Sequence, residues 1–285
     1  RLAFPGFRVV GGGHSGGEIH KERGNSNCIL GRLLWKLSEK MPVGLVFADG
    51  GLADNAIPRQ TKAVVVVEET DAVSLKQQVA ALAAELRDEL ATKDPDVKVT
   101  AKKLIDTAET ITCATPEDTK RVAAFLQATP NGVQAMSADM PGLVQTSLNL
   151  GILKADAEVL RAEYSVRSSV ESEKDNLIAK LSALVELTGG DYVVTGDYPG
   201  WKYRVHSPLR EKMVKLYAEM YGNEPRVEAI HAGLECGLLG SKISDLDCVS
   251  MGPDMKDIHT TEETLSISST KRVWEYLVRV LETKD

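Results

Sequence analysis

The residues of this chain best suited to chemistry are few imidazoles set in special backbone. His14 stands inside Gly11-Gly12-Gly13-His14-Ser15-Gly16-Gly17, where glycines allow main chain to approach a ligand closely. An imidazole held there can donate to a developing oxyanion, or it can be an exposed side chain on a tight turn. His231 and Glu235 lie in Ala229-Ile230-His231-Ala232-Gly233-Leu234-Glu235-Cys236-Gly237, after an expected strand. With a helix starting near Gly233, Glu235 falls in its first turn, favoured by the helix dipole. Together they can bind an amine or a metal, or serve as a strand-end histidine and a capping glutamate. His259 follows Ser250-Met251-Gly252-Pro253 by six residues. One imidazole does not make a zinc site, which needs three or four ligands, and no His-x-Asp accompanies it. Arg167, at the end of a strand, suits bidentate carboxylate recognition, and Asn55, before Ala56-Ile57-Pro58, suits paired hydrogen bonds. By chemistry alone both also read as ordinary surface residues.

The glycine run contains a literal GxGxxG at Gly11, Gly13 and Gly16. A dinucleotide fingerprint needs a helix opening directly from the loop and an acid after the next strand, whereas Glu18 to Arg23 is polar loop. No Gly-Lys-Ser/Thr follows, so a phosphate loop is excluded.

These residues need positioning elements. A short strand, Phe7 to Val10, leads into the glycine turn. Asn25 or Ser26 caps a helix with Ile29, Leu30, Leu33, Leu34 and Leu37 on one face. Strands are expected at 43–47 and 61–67, with a helix at 72–90 ended by Asp94-Pro95-Asp96. A further strand pair and a short helix near 119–126 come next, then a hairpin of 146–153 with 159–166. A helix over 174–187 ends at Gly189-Gly190, and a strand is expected at 192–195. After Tyr198-Pro199-Gly200-Trp201 come a helix opening at Pro208, strands at 227–230 and 248–251, and a last amphipathic helix over 270–281. The fold class is α+β passing into part of an α/β layer.

The 285 residues suffice for one large or two medium domains. A net charge of −7 leaves no basic excess for nucleic acid, and no apolar run approaches a membrane span. Cys28, Cys113, Cys236 and Cys248 form no CxxC pair and read as buried or free thiols in a reducing cytosol. The chain opens at Arg1 on a strand-like segment and is expected to start inside a longer protein.

In combination the motifs are specific. Gly12 to His20, Asn55-Ala56-Ile57-Pro58-Arg59, Ala128-Thr129-Pro130-Asn131-Gly132-Val133, Tyr198-Pro199-Gly200-Trp201 and His231 to Gly237 stand in an order that resembles the aminoacyl-histidine dipeptidases, also called cytosolic non-specific dipeptidases, over essentially the whole chain. The resemblance implies a carnosinase-like, co-catalytic zinc peptidase: an α/β catalytic domain interrupted by a ferredoxin-like lid that dimerises. By that resemblance residues 1–203 are the lid and 204–285 the closing segment of the catalytic domain. His14 would steady the oxyanion, Asn55 and Arg167 would hold the substrate carboxylate, and His259 would be the last metal ligand. His231 or Glu235 would line the pocket for the amine end. The other ligands of the family's two zincs precede the lid and are absent here, so the chain alone is expected to be inactive. The expected substrate of the whole is an unblocked dipeptide such as Xaa-His, the expected assembly a homodimer. The rival expectation is a non-catalytic dimerisation or binding module built from the same lid.

Overall fold

A computed structural model describes residues 2–8, 13–103, 111–229, 235–256 and 262–284, with residues 2–8, 13 and 14 described by backbone alone. The chain divides into two compact units, the first reaching Asp197 and the second beginning at Tyr198.

In the first unit, β1 (Leu2–Arg8) and the two-residue β2 (Gly13–His14) precede α1 (Ser26–Ser38). Asn25 caps that helix as its position implies: the side-chain oxygen accepts from the amides of Asn27 (3.0 Å) and Cys28 (3.2 Å). Leu30, Leu33, Leu34 and Leu37 recur at helical spacing, and all four are wholly buried. Next come β3 (Gly44–Gly50), β4 (Ala56–Ile57), β5 (Gln60–Val67), α2 (Ala72–Glu89) and α3 (Pro116–Ala128). On the outside, Arg32 of α1 bridges Glu85 and Glu89 of α2, at 2.7 Å each. The unit closes with β6 (Gly132–Met136), β7 (Val144–Ala155), β8 (Leu160–Ser168) and α4 (Glu171–Thr188), which stops on Gly189 at φ +73°.

Six strands form one antiparallel sheet in the order β1-β5-β3-β7-β6, with β8 also on β7. The twelve-residue β7 explains this arrangement. It pairs with β8 along its length, while its other edge takes β6 near the start (Gly132 opposite Leu148) and β3 at the end (Gly50 opposite Leu153). Alternate residues of β5 (Ala63, Val65 and Val67) enter the same core as the α1 leucines, as the two-residue period of a strand requires. The mixture of helices with an antiparallel sheet is the expected α+β class.

In the second unit, α5 (Pro208–Tyr221) starts with Pro208 at its first position, and the Ser207 hydroxyl accepts from the Arg210 amide at 3.1 Å. Then follow α6 (Glu235–Lys242), the short pair β9 (Met255–Lys256) and β10 (Thr264–Leu265), and α7 (Ile267–Glu282). Its core consists of Met213, Leu216, Tyr276 and Val280.

Some expected strands do not form. Residues 192–195 are exposed and irregular, despite Val193-Val194. Residues 227–229 and 248–251 are irregular too, since no described strand of the second unit runs beside them to complete a ladder. Among the described residues between Asp96 and Pro116 there is no strand pair.

Candidate functional site

Two segments far apart in sequence meet in the first unit. Gly13 and His14 pair antiparallel with Ile57 and Ala56, so His14 stands opposite the residue after Asn55. The contact is tightened next door, where the Ser15 amide and hydroxyl both donate to the Asn55 carbonyl at 2.9 Å.

This edge is fastened to β7 by amide side chains. Asn149 donates through one Nδ2 to the carbonyls of Asp54 and Ala56, 2.9 Å each, the residues on either side of Asn55. Its Oδ1 accepts from Asn25 Nδ2 at 3.2 Å. Between the stretches of β7 held by β6 and β3, the main chain of Leu150 also takes side-chain partners. Its amide donates to Asn131 Oδ1 (2.8 Å), and its carbonyl accepts from Asn25 (3.1 Å) and Asn27 (3.3 Å). Buried main-chain polar groups require such partners when no strand supplies them. Two glycines then let the loop sit down. Gly51 has φ +84°, and a Cβ on it would lie 1.7 Å from the Gly151 carbonyl; a Cβ on Gly151 would lie 2.2 Å from that of Asp54.

Arg167 shares a face with this loop. It lies opposite Ser147 in the β7–β8 ladder, and Asn149 lies opposite Ser165. Residues directly opposite point to the same side, as do residues two apart. The side chains of Arg167 and Asn149 therefore leave one face as diagonal neighbours, and Asn149 holds the Asn55 loop over it. Arg167 is half-buried, and its Nε is shut from solvent without a hydrogen-bond partner among the described residues. A buried donor left open is costly and is satisfied by an arriving acceptor. At the end of the same ribbon, Glu173 accepts from the hydroxyl of Thr146 and from Gln145 (3.0 Å), bonds that hold its carboxyl below the usual carboxylate range.

In the second unit Glu235 occupies the first turn of α6, exposed, as expected. Gly237 is buried against main chain, for a Cβ there would meet the Pro199 carbonyl at 2.7 Å. Tyr198-Pro199-Gly200-Trp201 thus lies against the turn that carries Glu235. His231 and His259 lie outside the described residues.

The described residues do not fit a zinc centre, since nowhere among them do three His, Cys, Asp or Glu side chains gather. Nor is any described helix long and apolar enough to cross a membrane. Sequence reasoning missed Asn149 as the fastener of the loop, and Asn25 and Asn131 as its neighbours in the same network. The available signal was a lone amide in Leu148-Asn149-Leu150, a polar residue inside an apolar strand.

No family model matches the chain. Among curated proteins it is 33% identical over 281 residues to the cytosol non-specific dipeptidase of Escherichia coli (strain K12), covering 99% of this chain and 57% of the relative. Among solved structures it matches the aminoacylhistidine dipeptidase from Vibrio alginolyticus with a TM-score of 0.88 and 31% identity, covering 99% of this chain and 56% of that one. In sequence and in fold, then, the chain is a relative of the aminoacyl-histidine dipeptidases along nearly all its residues, and it spans little more than half of their length.

Proposed function

We propose that this chain is the substrate-gripping part of a dipeptidase, a hydrolase of unblocked dipeptides of which Xaa-His is the type. The observation that carries this reading is the backbone pairing of the His14 turn with the Asn55 loop, over the sheet face from which Arg167 projects. In the proposed division of labour, Arg167 and Asn55 hold the substrate's terminal carboxylate. A planar guanidinium with an open donor is suited to that acceptor. His14 donates to the oxyanion that forms as the scissile carbonyl is attacked. Glu235, exposed on the first turn of α6, takes the amine end, with His231 beside it in sequence. We assign residues 1–203 to the lid and 204–285 to the closing segment of a catalytic domain, and infer that the lid pairs two copies of the protein. Zinc, with His259 as one ligand, belongs to the complete enzyme. The described residues of this chain offer no further set to retain it. A cytosolic location, as the Escherichia coli relative's name states for that protein, completes the proposal.

The test is hydrolysis of a Xaa-His dipeptide by the intact protein and by this chain alone. In the intact protein, His14→Ala should lower kcat by roughly 10²-fold with little change in KM, the usual loss for one oxyanion donor. Arg167→Met should act mainly on KM. The 285-residue chain alone should neither turn over substrate nor retain zinc by mass spectrometry. Steady turnover by that chain would overturn the assignment of the metal to other residues. The rival reading, a dimerisation or binding module, takes its support from the lack of a three-ligand group among the described residues. It predicts an intact protein that never hydrolyses dipeptides.

A further inference from the structure

We propose that Asn149 is a positioning residue for the substrate edge, a carboxamide clamp that sets where Asn55 and the His14 turn stand. This inference rests on the reading of Asn55 as a carboxylate-binding residue.

Asn149 is only 1% exposed, so its three hydrogen bonds are made in the protein or not at all. Both donor sites of its Nδ2 go to the carbonyls of Asp54 and Ala56, and its Oδ1 accepts from Asn25. Only a primary amide supplies two donors and one acceptor in this fork: a carboxylate has no proton for either carbonyl, and an apolar isostere leaves both unmet. The two carbonyls belong to the residues immediately before and after Asn55. Fixing both defines the backbone from which that side chain departs. The Asn55 carbonyl in turn receives Ser15, the residue after His14, through amide and hydroxyl. The path from sheet to imidazole is therefore short: β7, Asn149, the Asn55 loop, Ser15, His14. At the far end, the Asn25 that meets Asn149 also caps α1, tying the clamp to the best-buried helix of the unit.

The experiment is amide hydrogen exchange on the full chain, read residue by residue, for Asn149→Asp and the milder Asn149→Ser. The amides of Ser15 and Ala56, bonded to Asn55 and Ala53, should lose protection about tenfold or more, while β7–β8 ladder amides keep theirs. Asn131→Asp is the control. It lies in the same network and keeps the Oδ1 acceptor for Leu150, but among the described residues it does not bond to the loop, so Ser15 and Ala56 should be unaffected. In the intact enzyme, Asn149→Ser should raise KM for a dipeptide about tenfold while leaving KM for a substrate amide lacking the terminal carboxylate unchanged. A merely structural defect would move both. If protection at Ser15 and Ala56 persists in Asn149→Ser, or falls equally throughout the sheet, the clamp is overturned whatever the kinetics. If it falls locally and KM stays, the clamp stands and the carboxylate role of Asn55 falls.

Discussion

The first unit joins 24 buried apolar residues into one cluster beneath its sheet, and the second gathers four around Tyr276. In the first, α1 alone contributes four leucines with no exposed surface, and α2 adds Leu75, Val79, Leu82 and Leu86. In the second, Leu238, Leu239, Ile243 and Trp274 are each about half exposed or more, and polar fastenings stand out instead. The Tyr276 hydroxyl donates to the Met213 carbonyl at 2.6 Å, tying α7 to α5. Asp247 accepts from the Ser207 hydroxyl (2.6 Å) and the Leu209 amide (3.0 Å) at the start of α5. A core of four side chains removes little apolar surface from water, so single hydrogen bonds weigh more there. His14, Asn55 and Arg167 belong to the unit with the larger core, and Glu235 to the one with the smaller.

Core truncation should break the comparison most visibly. Leu34→Ala should cost about 3–4 kcal/mol in the first unit, as for a fully buried leucine, against about 2 kcal/mol for Met213→Ala in the second. Guanidinium unfolding followed by hydrogen exchange of peptides from each unit measures both, and equal losses would dissolve the distinction. Next in size, Tyr276→Phe should cost the second unit about 1 kcal/mol, since the partner carbonyl loses a buried donor. A calorimetric scan in which Tyr276→Phe is silent would show that packing alone holds α7.

The smallest effect concerns pH. Burial alone would raise the Asp247 carboxyl, but the Ser207 hydroxyl, the Leu209 amide and the Arg204 and Arg210 guanidiniums together hold it below its ordinary value. A carboxyl depressed in the folded state contributes stability above its unfolded pKa, near 3.9, and loses that contribution as pH falls through the folded value. Asp247→Asn should therefore be less stable than the natural protein at pH 7, with the gap closing below about pH 4. A gap of constant size down to pH 2 would remove the charge from the account.

Much of the fold was legible in the sequence because its signals are local. The α1 leucines repeat every three or four residues behind an asparagine cap, and the β7–β8 hairpin alternates around a turn at Asp156. What escaped depends on partners. Val193-Val194 has the composition of a strand but lies beside none. The β6 strand, missed altogether, exists because β7 is long enough to host it ahead of β3. The first strand was expected only from Phe7. In the structure the strand begins at Leu2, and a register shift between Pro5 and Phe7 carries it past the proline on an edge strand, where the missing amide is tolerated. Of the candidate residues, His14 pairs along the backbone with the residue after Asn55, and Arg167 leaves the sheet on the face that Asn149 shares. The asparagines that bring them together are separated by 124 positions between Asn25 and Asn149, beyond any local pattern.

The way the Asn55 loop is attached has an evolutionary corollary. A segment held by strand pairing can shift only in two-residue steps without turning every side chain over. A segment hung from side-chain amides obeys no such rule. Exchanges at Asn149 can raise, lower or tilt the loop while the six strands beneath keep their alignment. The position of the Asn55 loop in this lineage can thus drift by small increments on an unchanged platform.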